Sequence, residues 1–135
     1  MSYHIPIMTE EVAQWLEIAS EDIDLAEFLY EKRWPRPLER ICFFCQQCAE
    51  KALKAFLIHQ GIEPPRTHDI VQLSEACIAY GEQFQELVGI GKQLTPYAVQ
   101  LRYPNEIEID DPETAFALRK AALILETVKT QIKGY

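Results

Sequence analysis

From Val12 to Tyr30 the apolar residues return every three or four positions: Val12, Trp15, Leu16, Ala19, Ile23, Ala26 and Tyr30. Glu17, Glu21, Asp24, Glu27 and Glu31 take much of the remainder. A repeat near 3.6 held over five turns predicts a long helix with one buried side. Thr9 is a good N-cap for it, and Glu10 and Glu11 suit the positive end of the helix dipole. Trp34-Pro35-Arg36-Pro37 stops it, because proline cannot continue a helix and restricts the residue before it.

The same period predicts a second helix from about Pro37 to Gln60, with a stripe of Ile41, Cys45, Cys48, Ala49, Ala52, Ala55 and Phe56. Gly61 is placed to cap it, with Pro64-Pro65 beyond. Thr67 is the expected cap of a third helix through Ile70, Leu73, Cys77 and Ile78. A fourth begins near Glu82 and is weakened or kinked by Gly89, Gly91 and Pro96. Asp111-Pro112-Glu113 starts a last helix, with Asp111 as cap and a stripe of Ala115, Leu118, Ala122, Leu125 and Val128. Ile107-Glu108-Ile109 alternates but is too short for a strand. The expectation is an all-α, antiparallel, up-and-down bundle of four or five helices in a single domain over residues 1–135.

A chain of 135 residues buries enough surface to fold without a metal or disulfide. Its net charge of −8 excludes a general coater of nucleic acid, which needs clustered Lys and Arg. A local basic patch remains open to phosphate. The run Lys32, Arg33, Arg36 and Arg40 reads as a solvated turn or as a dock for an acidic partner. No apolar run is long enough to span a bilayer, and the N-terminus lacks the pattern of a signal peptide, so a cytoplasmic location is expected. Cys42-x-x-Cys45-x-x-Cys48 imitates part of an iron–sulfur signature. The segment has no glycine or proline to form a cluster loop, so these cysteines and Cys77 read as small buried hydrophobes. No metal or cofactor is implied.

Short connections place consecutive helices antiparallel. On that basis the loop after the second helix, residues 61–66, and the loop after the fourth, residues 102–110, share one end of the bundle. Arg66, His68, Arg102 and Tyr103 then form one neighbourhood. Arg102 reads either as a salt-bridge or capping residue near Glu106 or Glu108, or as a bidentate phosphate clamp. His68 reads as a contact to the loop after the fourth helix, or as a proton donor or phosphate ligand. His59 suits the C-terminal end of its helix as a cation, and Lys51 and Lys54 suit solvated surface. Ile18, Leu25 and Phe28 fall off the main stripe of the first helix. With Leu53 and Leu57 they suggest a second apolar seam, the expected homodimer interface.

Three segments together resemble the HEPN family, the nucleotide-binding domain of higher eukaryotes and prokaryotes. They are Cys45-Gln46-Gln47-Cys48-Ala49-Glu50-Lys51-Ala52-Leu53-Lys54-Ala55, Arg66-Thr67-His68-Asp69-Ile70 and Leu101-Arg102-Tyr103-Pro104. The resemblance implies a dimeric helical bundle, often encoded in prokaryotes beside a minimal nucleotidyltransferase in a toxin–antitoxin pair. It also implies binding of nucleotide or RNA through Arg102, Tyr103, Arg66 and His68. Many members are metal-independent ribonucleases that use an Arg followed four to six residues later by a His. Arg102 matches that Arg, whereas Glu106, Ile107, Glu108 and Ile109 stand where the His would be. In the enzyme reading His68 takes the missing place, so the candidate catalytic pair is Arg102 and His68. Tyr103 is similar in chemistry to a tyrosine that partner nucleotidyltransferases modify in some members, although it adjoins the Arg instead of following the His.

Overall fold

Thr9 caps the first helix: its hydroxyl accepts from the Val12 amide at 3.2 Å. The computed structural model describes residues 8–98 and 108–133. Among them are five α-helices, α1 (Glu10–Lys32), α2 (Leu38–His59), α3 (Ile70–Ile78), α4 (Leu87–Leu94) and α5 (Asp111–Lys133). Two 3-10 turns, Glu82–Glu86 and Thr95–Ala98, flank α4. The all-helical expectation therefore holds, and no strand occurs among the described residues.

α2 is the central helix. It is buried on several sides at once, with Cys45, Cys48, Ala52 and Phe56 among its covered residues. Gly61 ends it at φ 78°. The Ile62 amide reaches the Leu57 carbonyl and the Gly61 amide the Ile58 carbonyl, each at 2.9 Å. This double closure needs a left-handed residue, which is why glycine stands there.

The chain path departs from a simple up-and-down order. α1 and α2 are antiparallel, joined at 33–37 and crossed by an ion pair of Lys51 with Asp22 at 2.9 Å. After α2 the chain doubles back along it, so that Gln46 Nε2 donates to the His68 carbonyl at 2.9 Å. α3 then runs in the direction of α2, with Cys77 Sγ near the Leu53 carbonyl. α4 returns until the Thr95 hydroxyl accepts from the Ile70 amide at 3.0 Å. α5 runs alongside α2 in the same direction, since Thr114 meets Cys42 and the Ala121 carbonyl meets Cys48. Its first residue, Asp111, sits at the α1–α2 turn beside Tyr30 and Arg36. Of the loop expected to share an end with residues 61–66, residues 102–107 lie outside the described residues. Its far end, at Asp111, sits at the start of α2, whereas Gly61 follows the end of that helix, which is about 33 Å long.

Local expectations shift for identifiable reasons. Asp69, not Thr67, caps α3, its carboxylate accepting from Val71 and Gln72, while Thr67 accepts from the Asp69 amide. A carboxylate at the positive end of a helix is the stronger cap. Asp110, not Asp111, caps α5 by accepting from Glu113 at 2.7 Å. The buried side of α5 is Ala117, Ala121, Ile124, Leu125, Val128 and Ile132, a stripe displaced from the expected one. That helix is apolar on two faces, and periodicity alone does not choose between them. Gly91 is a packing residue and not merely a weak point: a Cβ there would lie 2.8 Å from the Val71 amide nitrogen. Its absence lets α4 touch the start of α3.

Candidate functional site

The i, i+4 spacing puts Gln46, Glu50 and Lys54 on one side of α2, and the returning loop lays His68 over them. Glu50 is the hub. Its side chain is only 6% exposed, yet both oxygens are bonded. Oε1 accepts from Gln46 Nε2 at 3.1 Å and lies 2.8 Å from His68 Nδ1; Oε2 accepts from Lys54 Nζ at 2.9 Å. Burial pushes the Glu50 carboxyl up, but the bonds from Lys54, Gln46 and His68 outweigh it and hold the group below its ordinary value. An ionised Glu50 fixes the proton of His68 on Nδ1, because a carboxylate can only accept. The other ring nitrogen is left for solvent or a ligand, on a side chain that is 71% exposed.

Two further groups adjoin this hub. Thr95 contacts both Asp69 and Ile70, so the chain leaves α4 beside the His68–Asp69 corner. On the other side Lys54 helps line an open cleft of about 540 Å³ between the start of α1 and the end of α2. Arg66 stands at the rim of that cleft and makes no ion pair among the described residues. Lys51 and Lys54 are thus ion-paired and largely covered, not solvated surface as expected. His68 meets Glu50 of α2, while residues 99–107 of the loop after α4 lie outside the described residues. His59 is buried, and desolvation holds its imidazole below the usual range, which favours the neutral ring over the expected helix-end cation.

Arg102 and Tyr103, the residues on which the clamp reading turns, lie outside the described residues. The expected seam is split by the fold. Ile18, Leu25 and Phe28 are exposed, Phe28 by 60%, but Leu53 and Leu57 are fully buried and are corrected to core. α2 is covered on several sides, so the side that carries Leu53 and Leu57 is core as well.

Sequence reasoning missed the use of the basic run. Arg36 is clamped: Nε donates to the Tyr30 carbonyl at 2.6 Å and a terminal nitrogen to Asp111 Oδ1 at 2.9 Å. Its guanidinium lies 3.9 Å from the Tyr30 ring centroid and 4.2 Å from that of Trp34. Tyr30 donates its hydroxyl to Asp111, and that bond, with Arg36, holds the Asp111 carboxyl below its usual range. Tyr97 similarly donates to Glu113. The available signal was the aromatic pair Tyr30 and Trp34 around a cation.

The four cysteines are buried thiols. Desolvation pushes Cys42 up to about 11 and Cys48 and Cys77 up to about 12, so the thiolate needed for metal binding is suppressed. Among the described residues no group of three His, Cys, Asp or Glu side chains is arranged to hold a metal ion. None of the described helices is long and apolar enough to cross a membrane.

The HEPN domain profile matches residues 12–131. The chain belongs to the HEPN family. Two solved structures share the fold over nearly the whole domain. An archaeal HEPN homologue, ST0689, is 29% identical with a TM-score of 0.68, covering 90% of this chain and 97% of its own. TT1696 from Thermus thermophilus is 26% identical with a TM-score of 0.75, covering 91% and 99%. No curated protein matches the chain. Two of the three segments named from the sequence meet at the hub, Glu50 and Lys54 from the first and His68 from the second.

Proposed function

We propose that this HEPN protein binds nucleotide or RNA as a homodimer and works as the cognate partner of a minimal nucleotidyltransferase in a toxin–antitoxin-like module. The observation that carries the binding reading is the Glu50–His68 hub. A buried carboxylate spends its own charge on Lys54, Gln46 and His68 and leaves an oriented imidazole edge open to a ligand. Arg66, which makes no ion pair among the described residues, and Thr95 at the end of α4 adjoin it. Guanidinium groups offer the planar paired donors that phosphate takes. Ile18, Leu25 and Phe28 recur at steps of seven and three on exposed α1, the spacing of a helix seam that a second copy can cover. The test is RNA retention by the purified protein and by Arg102→Ala and Arg66→Ala forms, with mass measured by light scattering. A dimer whose RNA affinity falls in both variants is expected; unchanged affinity in both ends the reading.

One observation favours a second, enzymatic reading. His68 is held through Nδ1 by a buried carboxylate with its other nitrogen exposed, which is how a general base is oriented. That nitrogen would accept the proton of a ribose 2′-hydroxyl as the 2′-oxygen bonds to the adjacent phosphorus and the P–O5′ bond breaks, the departing 5′-oxygen taking a proton from water, while Arg102 steadies the phosphate. Expression of the chain alone, with cellular RNA examined for fragments that vanish in His68→Ala, separates cleavage from binding. Intact RNA in the unmutated case excludes the enzyme.

A further inference from the structure

The cleft beside the hub has a composition of its own. Trp15 of α1 and Ile58 of α2 form its apolar floor, and Pro64 and Pro65 close it after the left-handed turn at Gly61. Trp15 is half-buried, so its ring is fixed by the core on one side and faces the cleft on the other. The volume, about 540 Å³, falls within the range of small-molecule sites, roughly 300–1,000 Å³. Charge is divided along the rim. Lys54 and Arg66 are its cations and Glu11 and Glu63 its carboxylates.

We propose that this cleft is a nucleobase subsite, and that the ligand of the hub is an unpaired nucleotide with its base against Trp15 and its phosphate toward Arg66 and His68. The inference rests on the nucleotide- or RNA-binding reading and deepens it. An indole is a stacking platform for any base, and a base can reach it only when it is not paired in a duplex. Lys54 belongs both to the cleft lining and to the Glu50 hub, so base and phosphate subsites are continuous. Glu11 and Glu63 repel phosphate from their side and accept hydrogen bonds from an exocyclic amino group, which favours adenine or cytosine over uracil. Single-stranded RNA and a free nucleotide present the same chemistry.

The chain has two tryptophans, so a Trp34→Phe form, which keeps an aromatic ring beside Arg36, reports on Trp15 alone. Its fluorescence is titrated with adenosine monophosphate, a short oligoadenylate and an RNA duplex of equal length. Saturable quenching by oligoadenylate but not by duplex is expected. Quenching by the monophosphate as well identifies a free nucleotide as sufficient; its absence identifies the RNA strand. Anisotropy with labelled oligoadenylate should show about tenfold or greater loss of affinity for Trp15→Leu, the usual scale for one stacking platform. Trp15→Phe should retain most of it, and exposed Arg66→Ala should lose affinity without a change in thermal midpoint. RNA binding that leaves Trp15 fluorescence and the Trp15→Leu affinity unchanged overturns the cleft while sparing the binding reading. No binding of any probe by the unmutated protein overturns both.

Discussion

Arg36 and Arg66 sit near opposite ends of α2 and are treated in opposite ways. Arg36 has its bonds to Tyr30 and Asp111 and two aromatic rings against its guanidinium. Arg66 has an apolar cleft beside it and no ion pair among the described residues. The first end is a joint that fastens α5 to the α1–α2 turn. The second holds charge in reserve. A cation tied by hydrogen bonds and ring contacts belongs to the scaffold; one held beside an oriented imidazole and an open cleft is available to a ligand.

Four substitutions or conditions break or sharpen that contrast. Glu50→Gln has the largest expected effect. It leaves Lys54, mostly covered, without its charge partner, and removing one member of such a pair costs about 3 kcal/mol in chemical unfolding. Arg36→Ala comes next, at about 2 kcal/mol, because charged hydrogen bonds and ring contacts are lost together. Should Arg36→Ala be neutral, the joint is not fastened there. Acid titration is the third. The Glu50 carboxyl lies below its ordinary 4.5 when folded, so its contribution is fully present above 4.5 and disappears as pH falls through the folded-state value. Stability of the unmutated chain should therefore fall more steeply below pH 4.5 than that of Glu50→Gln. Smallest is Arg66→Ala, expected to change unfolding by less than about 0.5 kcal/mol while weakening RNA binding. A large loss of stability there would make Arg66 scaffold after all.

Local signals were legible in the sequence, and long-range ones were not. Thr9, Gly61 and the prolines at 35 and 37 mark helix ends through chemistry confined to a few neighbouring residues. Leu53 and Leu57 were misread because a stripe shows which side of a helix is apolar, not how many neighbours it has. The Glu50–His68 pair was hidden for another reason. Ala49-Glu50-Lys51-Ala52 has the look of ordinary helix surface, and only the doubling back of residues 60–69 turns it inward. One clue was present: Gln46, Glu50 and Lys54 are three polar residues at four-residue steps on a helix whose other faces are apolar.

The course of α5 has a consequence for how the chain assembles. α1, α2 and α5 pack together, yet α5 joins only after an excursion of roughly 50 residues from His59 to Asp111. Closing a flexible loop of that length costs about 3.5 kcal/mol in chain entropy. The α1–α2 hairpin has no such cost and can form while the rest is still being synthesised. Until Asp111 reaches Arg36 the hairpin carries an uncovered apolar flank around Cys42 and Cys48. The last helix to leave the ribosome is thus the one that covers this flank.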